Sequence, residues 1–367
     1  METMVSKSLE FNTDLWVISV DLKKAFDRVE HAALFQSLRN HGLEQSYCNL
    51  LNRIYDGQIG ILSEEVSFGI DRGVRQRDVL SPILFNCALE NAIAAWKDIL
   101  TSEGVALDAK GDRLTNIRFA DDLLLFGKTM EEVIHMVEQL VLTLRKYGLE
   151  LNVKKTKMMS TTVQEDDSIL IDTRVGFLEL LGSKCSHKYL GRNWCGNLRR
   201  RGETALNHRL ACGWMKFREH QASLCNKHIS LRSRLRLFTS TVTPAVLYGL
   251  NTTPLTERMI EKLNITQRKM LRKIIGWVII TTDSYEQNGH RMKERMERAL
   301  LIFPLKPWSA ELQKGKQALM ARIQSQETSP SVRKIWDWKP LQCSARNAQA
   351  PFRGVGRPRV RWNDPLT

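Results

Sequence analysis

Asp121 and Asp122 stand side by side between two apolar runs, 117–120 and 123–126. Two β-compatible runs around two residues read as a hairpin with two carboxylates at its tip. Adjacent carboxylates repel, and apolar surroundings raise the cost of ionising both; a divalent cation removes that penalty. Adjacent aspartates also suit an ordinary turn. A third carboxylate, Asp21, ends the short apolar run 15–20. If the two strands are neighbours, three carboxylates converge, and such oxygen donors hold one or two Mg2+ ions. Two ions about 3.5–4 Å apart activate an attacking hydroxyl and stabilise a leaving pyrophosphate. The sulfur and imidazole groups offer less. Seven cysteines without a CxxC pair read as reduced thiols of an intracellular protein. Cys212, His220, Cys225 and His228 lack the spacing of a zinc finger.

The elements that must position these groups follow from pattern. Residues 15–20 (LWVISV) form a short β-rich run and predict a buried strand. Phe26 to Asn40 predicts a helix with Val29, Ala32, Ala33 and Leu38 on one side, stopped by Gly42. Ser81-Pro82 opens a second helix, with Ser81 as N-cap and Pro82 at the first turn. After the 117–126 hairpin, Thr129 and Glu132 predict a capping box for a helix ended by Gly148. Its apolar stripe is Met130, Val133, Ile134, Val137, Leu140, Val141 and Leu144. Residues 149–153 predict another extended piece. Strand, helix, helix, hairpin, helix, strand describes an α+β or split βαβ layer domain. Beyond residue 195 strand signals fade, and 229–247 and 257–275 predict helices.

The chain has 367 residues, 43% hydrophobic and 26% charged, which excludes a wholly disordered chain, a collagen and a disulfide miniprotein. No apolar run is long enough for a membrane span, and residues 1–11 lack the pattern of a signal peptide. The net charge is +15, unevenly spread: −6 over residues 1–190, +13 over 191–300 and +8 over 301–367. An acidic first half suits cations and a basic second half suits a polyanion such as nucleic acid; solvated Lys and Arg faces give the same count. Gly354 to Thr367, rich in arginine and glycine, predicts a loose basic tail.

Five stretches together resemble the reverse transcriptases of non-LTR, LINE-type retrotransposons. VISVDLKKAFDRVEH (17–31) resembles motif A, GVRQRDVLSPILFN (73–86) motif B, and RFADDLLLF (118–126) motif C. GLELNVKKTKMM (148–159) resembles motif D and KYLG (188–191) motif E. The likeness continues through LRLFTSTVTPAVLYG (235–249) and GRPRVRWNDPL (356–366). It implies an α+β fold: a reverse-transcriptase palm, an antiparallel sheet with packed helices, with partial fingers over 1–190. A mostly helical basic thumb over 191–300 and a basic tail over 301–367 follow. It implies an RNA-directed DNA polymerase with two Mg2+ ions, Mn2+ being an alternative. Its partners would be an RNA template, a DNA primer and deoxynucleoside triphosphates, with no membrane and a nuclear setting.

The resemblance also implies residue roles. Asp21, Asp121 and Asp122 would hold the catalytic ions, Asp122 the least directly. Phe26, five residues after Asp21, would stack under the incoming sugar and exclude a ribose 2′-hydroxyl; a core phenylalanine fits that position equally. Arg75 and Gln76 would line nucleotide and template. Lys155 would face the triphosphate as a general acid, with Lys154 and Lys157 as rivals. Tyr189, Leu190 and Gly191 would form the primer grip. Two departures stand out. Arg77 replaces the glycine that follows Arg-Gln in the family, where a bare backbone lets the substrate approach. Only 20 residues precede Asp21, so the nucleotide-clamping fingers and an upstream endonuclease are expected to be missing. These favour an alternative: a nucleic-acid-binding remnant of the same descent without catalysis. A phosphatase or nuclease would also pair aspartates, but gives no role to Phe26, Gln76 or a basic second half.

Overall fold

A computed structural model describes residues 1–63, 66–108, 111–276, 280–325 and 330–339. Helix α1 (Glu2–Glu10) leads into strand β1 (Trp16–Val20), then α2 (Ala25–Arg28), α3 (His31–Asn40) and α4 (Gln45–Tyr55). Two short hairpins, β2 (Ile59–Ser63) with β3 (Val66–Gly69) and β4 (Val105–Ala106) with β5 (Arg113–Leu114), flank helix α5 (Ser81–Ile99). Next come β6 (Asn116–Phe119), β7 (Asp122–Gly127), α6 (Met130–Arg145), β8 (Lys157–Ser160), β9 (Ile169–Ile171) and β10 (Leu178–Leu180). A last hairpin, β11 (Ser186–Tyr189) with β12 (Arg192–Cys195), precedes helices only. These are α7 (Arg201–Glu219), α8 (Gln221–Leu224), α9 (Leu231–Leu247), α10 (Glu257–Ile275), α11 (Tyr285–Ile302), α12 (Trp308–Gln324) and α13 (Pro330–Asp337).

The main sheet has the order β6–β7–β1–β8–β10–β9. It is mixed, because β8 and β10 run parallel while the other neighbours are antiparallel. Strand β1 is central, so its side chains are buried on both faces, as its nearly unbroken apolar run requires. The period of two sends Ile18 and Val20, with Leu123 and Leu125 of β7, into the core beneath α3, α5 and α6. It sends Val17, Leu124 and Phe126 to the opposite face, where α1, β12 and Trp338 cover them. Helix α5 is fixed to α6 by Trp96, fully buried, whose indole N–H donates to the Met136 carbonyl at 3.0 Å. A third core joins α7, α9, α10 and α12, with Phe238 stacked on Trp308 at 5.9 Å. Glycine at 213 lets α7 lie close to Val246 on α9.

Several local expectations shift. The helix expected from Phe26 to Asn40 is broken at Val29 and Glu30, both extended. The cause is tertiary: the Val29 carbonyl accepts from Gly73 N–H at 2.8 Å, and Glu30 bridges Arg72. Leu80, not Ser81, is the N-cap of α5, and the Ser81 hydroxyl is buried without a partner. Thr129 does cap α6, accepting from Glu132 N–H at 3.2 Å. The Glu132 carboxylate, however, reaches Lys128 N–H and Gly104 N–H instead of closing a capping box. The extended piece at 149–153 reduces to one bridge, Leu22 with Leu151, and the strand begins at Lys157. The helices expected at 229–247 and 257–275 are α9 and α10. The tail 354–367 lies outside the described residues. Among the described residues no helix is long and apolar enough to cross a membrane.

Candidate active site

Register builds the carboxylate corner. Strands β1 and β7 pair Val20 with Leu123, so the next step along each places Asp21 opposite Asp122. The turn residues are Ala120 and Asp121; Asp122 already pairs with Phe119 as the first residue of β7. Ala120 takes a positive φ of 53° to close that turn. Alternation puts Asp21 and Asp122 on the face of Ser19 and Leu124, away from the core beneath α5 and α6. The Asp21 backbone is fixed on the other side: its carbonyl accepts from Asn152 N–H at 2.7 Å and its N–H meets the Thr156 hydroxyl at 3.4 Å.

The carboxylates act on one another's acidity. Burial, then Asp121, then Asp21 push the Asp122 carboxyl above its ordinary range. Mutual repulsion of three carboxylates is what a bound cation relieves, and an all-oxygen donor set suits Mg2+ rather than a softer metal. The residues therefore fit such an ion by chemistry. Among the described residues no three Asp, Glu, His or Cys side chains already surround one metal position. That holds for Cys212, His220, Cys225 and His228 as well, and the first and third of these are free thiols.

A cavity of about 550 Å3 opens beside the corner, and Asp21, Phe26, Asp27, Gln76, Asp121 and Lys155 line it. Phe26 stacks on Phe85 with centroids 4.6 Å apart, which sets its ring at the wall. Among Lys154, Lys155 and Lys157, Lys155 alone lines this cavity, together with Lys23 and Lys24 of the segment after β1, while the Lys157 ammonium is paired with Glu179. Gln76 donates its side-chain N–H to Asp27 at 2.7 Å. Arg75 lines a separate cavity of about 820 Å3 with Phe68 and Arg72, and Asp27 borders both. Arg77, where the family motif has glycine, is exposed and holds a φ of 68°, a conformation that glycine adopts freely. Asp122 is not among the cavity's lining residues.

Tyr189, Leu190 and Gly191 lie at the β11–β12 hairpin. Tyr189 pairs with Arg192, leaving Leu190 and Gly191 as a two-residue turn with φ of 46° and 72°. Tyr248 donates its hydroxyl to the Leu190 carbonyl at 3.2 Å, and Arg209 on α7 donates to the Gly191 carbonyl. Arg209 also stacks over the Tyr248 ring at 4.7 Å. Burial first, then the Asp122 charge, push the Tyr189 hydroxyl up to about 12, so it stays protonated; it is buried without a partner. Two residues before Tyr189, a His187 ring nitrogen meets the Ser19 hydroxyl at 3.0 Å, tying this hairpin to β1, which ends just before Asp21. Sequence reasoning passed over Asp27, His187, Arg209 and Tyr248. Asp27 lies inside the motif A stretch and Tyr248 inside the 235–249 stretch, so both had a signal; His187 and Arg209 act through contacts distant in sequence.

Residues 4–193, just over half the chain, match the family described as "Reverse transcriptase (RNA-dependent DNA polymerase)". The chain belongs to that family. The relatives it resembles are proteins of transposable elements. It is 30% identical over 188 residues to a Pol polyprotein from the type-1 retrotransposable element R2 of Nasonia vitripennis, covering 48% of this chain and 18% of that one. It is 27% identical over 267 residues to a transposon-derived protein of Caenorhabditis elegans, covering 70% of this chain and 85% of that one. Against the R2 polyproteins it spans less than half of their length. Among solved structures, apo telomerase from Candida tropicalis is similar with a TM-score of 0.41 and 14% identity, over 91% of this chain and 54% of that one.

Proposed function

We propose that this chain performs templated nucleotidyl transfer from a deoxynucleoside triphosphate to a DNA primer 3′-hydroxyl, directed by RNA. The observation that carries the reading is one corner: Asp21 opposite Asp122 in register, with Asp121, Phe26, Gln76 and Lys155 around the adjoining cavity. Asp21 and Asp121, with Asp122 in support, hold two Mg2+ ions; Mn2+ serves as an alternative. Bound ions supply charge stabilisation and a more acidic primer hydroxyl. Phe26 packs under the incoming sugar and leaves no room for a 2′-hydroxyl. Gln76 meets the nucleotide, and Arg75, in the neighbouring cavity, meets the template. The Lys155 ammonium faces the triphosphate and donates a proton to the leaving pyrophosphate. Tyr189, Leu190 and Gly191 hold the primer end between a palm over 1–190 and a basic thumb over 191–300. The thumb and the basic segment 301–367 track the phosphate backbone through salt-sensitive contacts.

Primer extension on an RNA template tests this, with Asp121→Ala as the blank. Incorporation by the wild type alone supports the reading, and equal incorporation by both removes it. One observation favours a second reading, binding without turnover: Arg77 sets a long cation in left-handed backbone next to Gln76. If the wild type binds primer–template but only Arg77→Gly extends it, that second reading describes the natural protein.

A further inference from the structure

The segment that carries Phe26 is docked on the segment that carries Gln76 by a run of short contacts. Val74 N–H donates to the Phe26 carbonyl at 2.7 Å, and Gly73 N–H to the Val29 carbonyl at 2.8 Å. A His31 ring nitrogen meets the Gly73 carbonyl at 2.8 Å. Gly73 has a φ of 89°, and a Cβ there would lie 2.8 Å from the Asp27 backbone, so the two chains touch at this point. Within this run Asp27 and Gln76 meet side chain to side chain, at 2.7 Å.

We propose that Asp27 is a positioning residue for Gln76, fixing which end of its amide meets the incoming nucleotide. An ionised carboxylate accepts hydrogen bonds and donates none. Facing Asp27, the Gln76 amide must turn its nitrogen inward, which leaves its oxygen to accept from a hydroxyl or amino group of the ligand. Without Asp27 the amide is free to flip, and half of its orientations present the wrong group. Asp27 also borders both cavities, so it stands between the space beside the carboxylates, which Gln76 also lines, and the space lined by Arg75 and Phe68. A nucleotide seated in the first would meet both side chains. The inference rests on the nucleotide-binding reading of the cavity given above.

Two measurements separate the inference from that reading. Steady-state single-nucleotide incorporation is compared for wild type, Asp27→Ala, Asp27→Asn, Gln76→Ala and the Asp27→Ala/Gln76→Ala pair. Binding of a fluorescent deoxynucleoside triphosphate is followed on the same proteins. Asp27→Ala is expected to raise the nucleotide KM and the dissociation constant about fivefold, with kcat within about twofold, the size of one partly exposed charge-assisted hydrogen bond. Asp27→Asn, whose amide oxygen still accepts from Gln76, is expected to recover most of the loss. In the Gln76→Ala background the Asp27→Ala change is expected to add nothing. An unchanged KM in Asp27→Ala, an Asn variant as impaired as the Ala variant, or additive effects would each overturn the proposal while wild-type nucleotide binding stands. A wild type that neither binds nor incorporates nucleotide overturns the reading of the cavity itself. Should Asp27→Ala fail to fold, the Asn variant and the Gln76→Ala background still decide.

Discussion

Two two-residue hairpin turns carry the candidate site, and they are built in opposite ways. At Ala120–Asp121 only the first residue takes a positive φ, and what the turn displays is side chains, the carboxylates of Asp121 and Asp122. At Leu190–Gly191 both residues take a positive φ, and what the turn offers is its backbone: both carbonyls are held, by Tyr248 and Arg209. The first tip is positioned from behind, by sheet register. The second is positioned from in front, by helices that come later in the chain. Charge placed by a sheet is held by strand register, whereas a backbone clasped by later helices is held by how those helices pack.

The largest expected difference between the tips is chemical. Asp121→Ala should lower incorporation by about a thousandfold or more, since charge stabilisation supplies most of phosphoryl-transfer catalysis. Arg209→Ala should leave the carboxylate corner intact and act on primer binding and stability instead. Single-turnover incorporation with saturating primer distinguishes the two; equal losses of rate would erase the contrast.

Next in size is the clasp. Arg209 is buried, and its guanidinium both donates to the Gly191 carbonyl and stacks on Tyr248. Its replacement by Ala should cost about 2 kcal/mol in urea unfolding. Lysine should not restore it, because an ammonium lacks the planar fork and the stacking face. A midpoint unchanged in Arg209→Ala would mean that the β11–β12 hairpin stands without its clasp from α7.

Smaller still is backbone strain. Ala120 and Leu190 both hold left-handed φ without being glycine, at a cost of about 1 kcal/mol each. Ala120→Gly and Leu190→Gly should therefore each stabilise by roughly 0.5 kcal/mol, the relief being partly offset by chain entropy. Gly191→Ala should destabilise, since φ there is 72° and the added Cβ lies 3.3 Å from the Tyr248 ring. If Ala120→Gly stabilises but also lowers incorporation, the strained turn is what aims Asp121.

How much of this could be read from sequence follows from the same contrast. Strand β1 and helices α6, α9 and α10 rest on local pattern, and apolar period was enough to find them. The meeting of Asp21 with Asp122 depends instead on β1–β7 register across about a hundred residues, which the sequence leaves as a condition. The hairpin tip was misjudged by one residue because alanine is a poor predictor of left-handed backbone, so Asp122 reads as turn when it is strand. The break at Val29–Glu30 was invisible because its cause, the 72–74 loop, is more than forty residues away. Helix α1 carried no motif; Glu2 is buried against Arg192 and Arg201, and only the folded chain brings those together. The choice among Lys154, Lys155 and Lys157 needed side-chain direction, which a run of adjacent lysines does not encode.

The smallest predicted effect concerns the charge that the first tip carries and the second does not. Burial, Asp121 and Asp21 hold the Asp122 carboxyl above its ordinary value of 3.8. Its folded pKa thus exceeds its unfolded one, so the folded state favours the protonated acid. That contribution to stability is fully present below the unfolded pKa and is lost as pH rises through the folded pKa. At about pH 7 the wild type is therefore less stable than a chain with a neutral group there, and Asp122→Asn should raise Tm. The gain should shrink on acidification and vanish below about pH 4, where both proteins are neutral at this position. Millimolar Mg2+ should also shrink it, because a cation at the corner offsets the same repulsion. Thermal melts of both proteins across pH, with and without Mg2+, check the sign. A gain independent of pH and of Mg2+ would mean that asparagine simply packs better, and that repulsion at the corner is not what sets the Asp122 acidity.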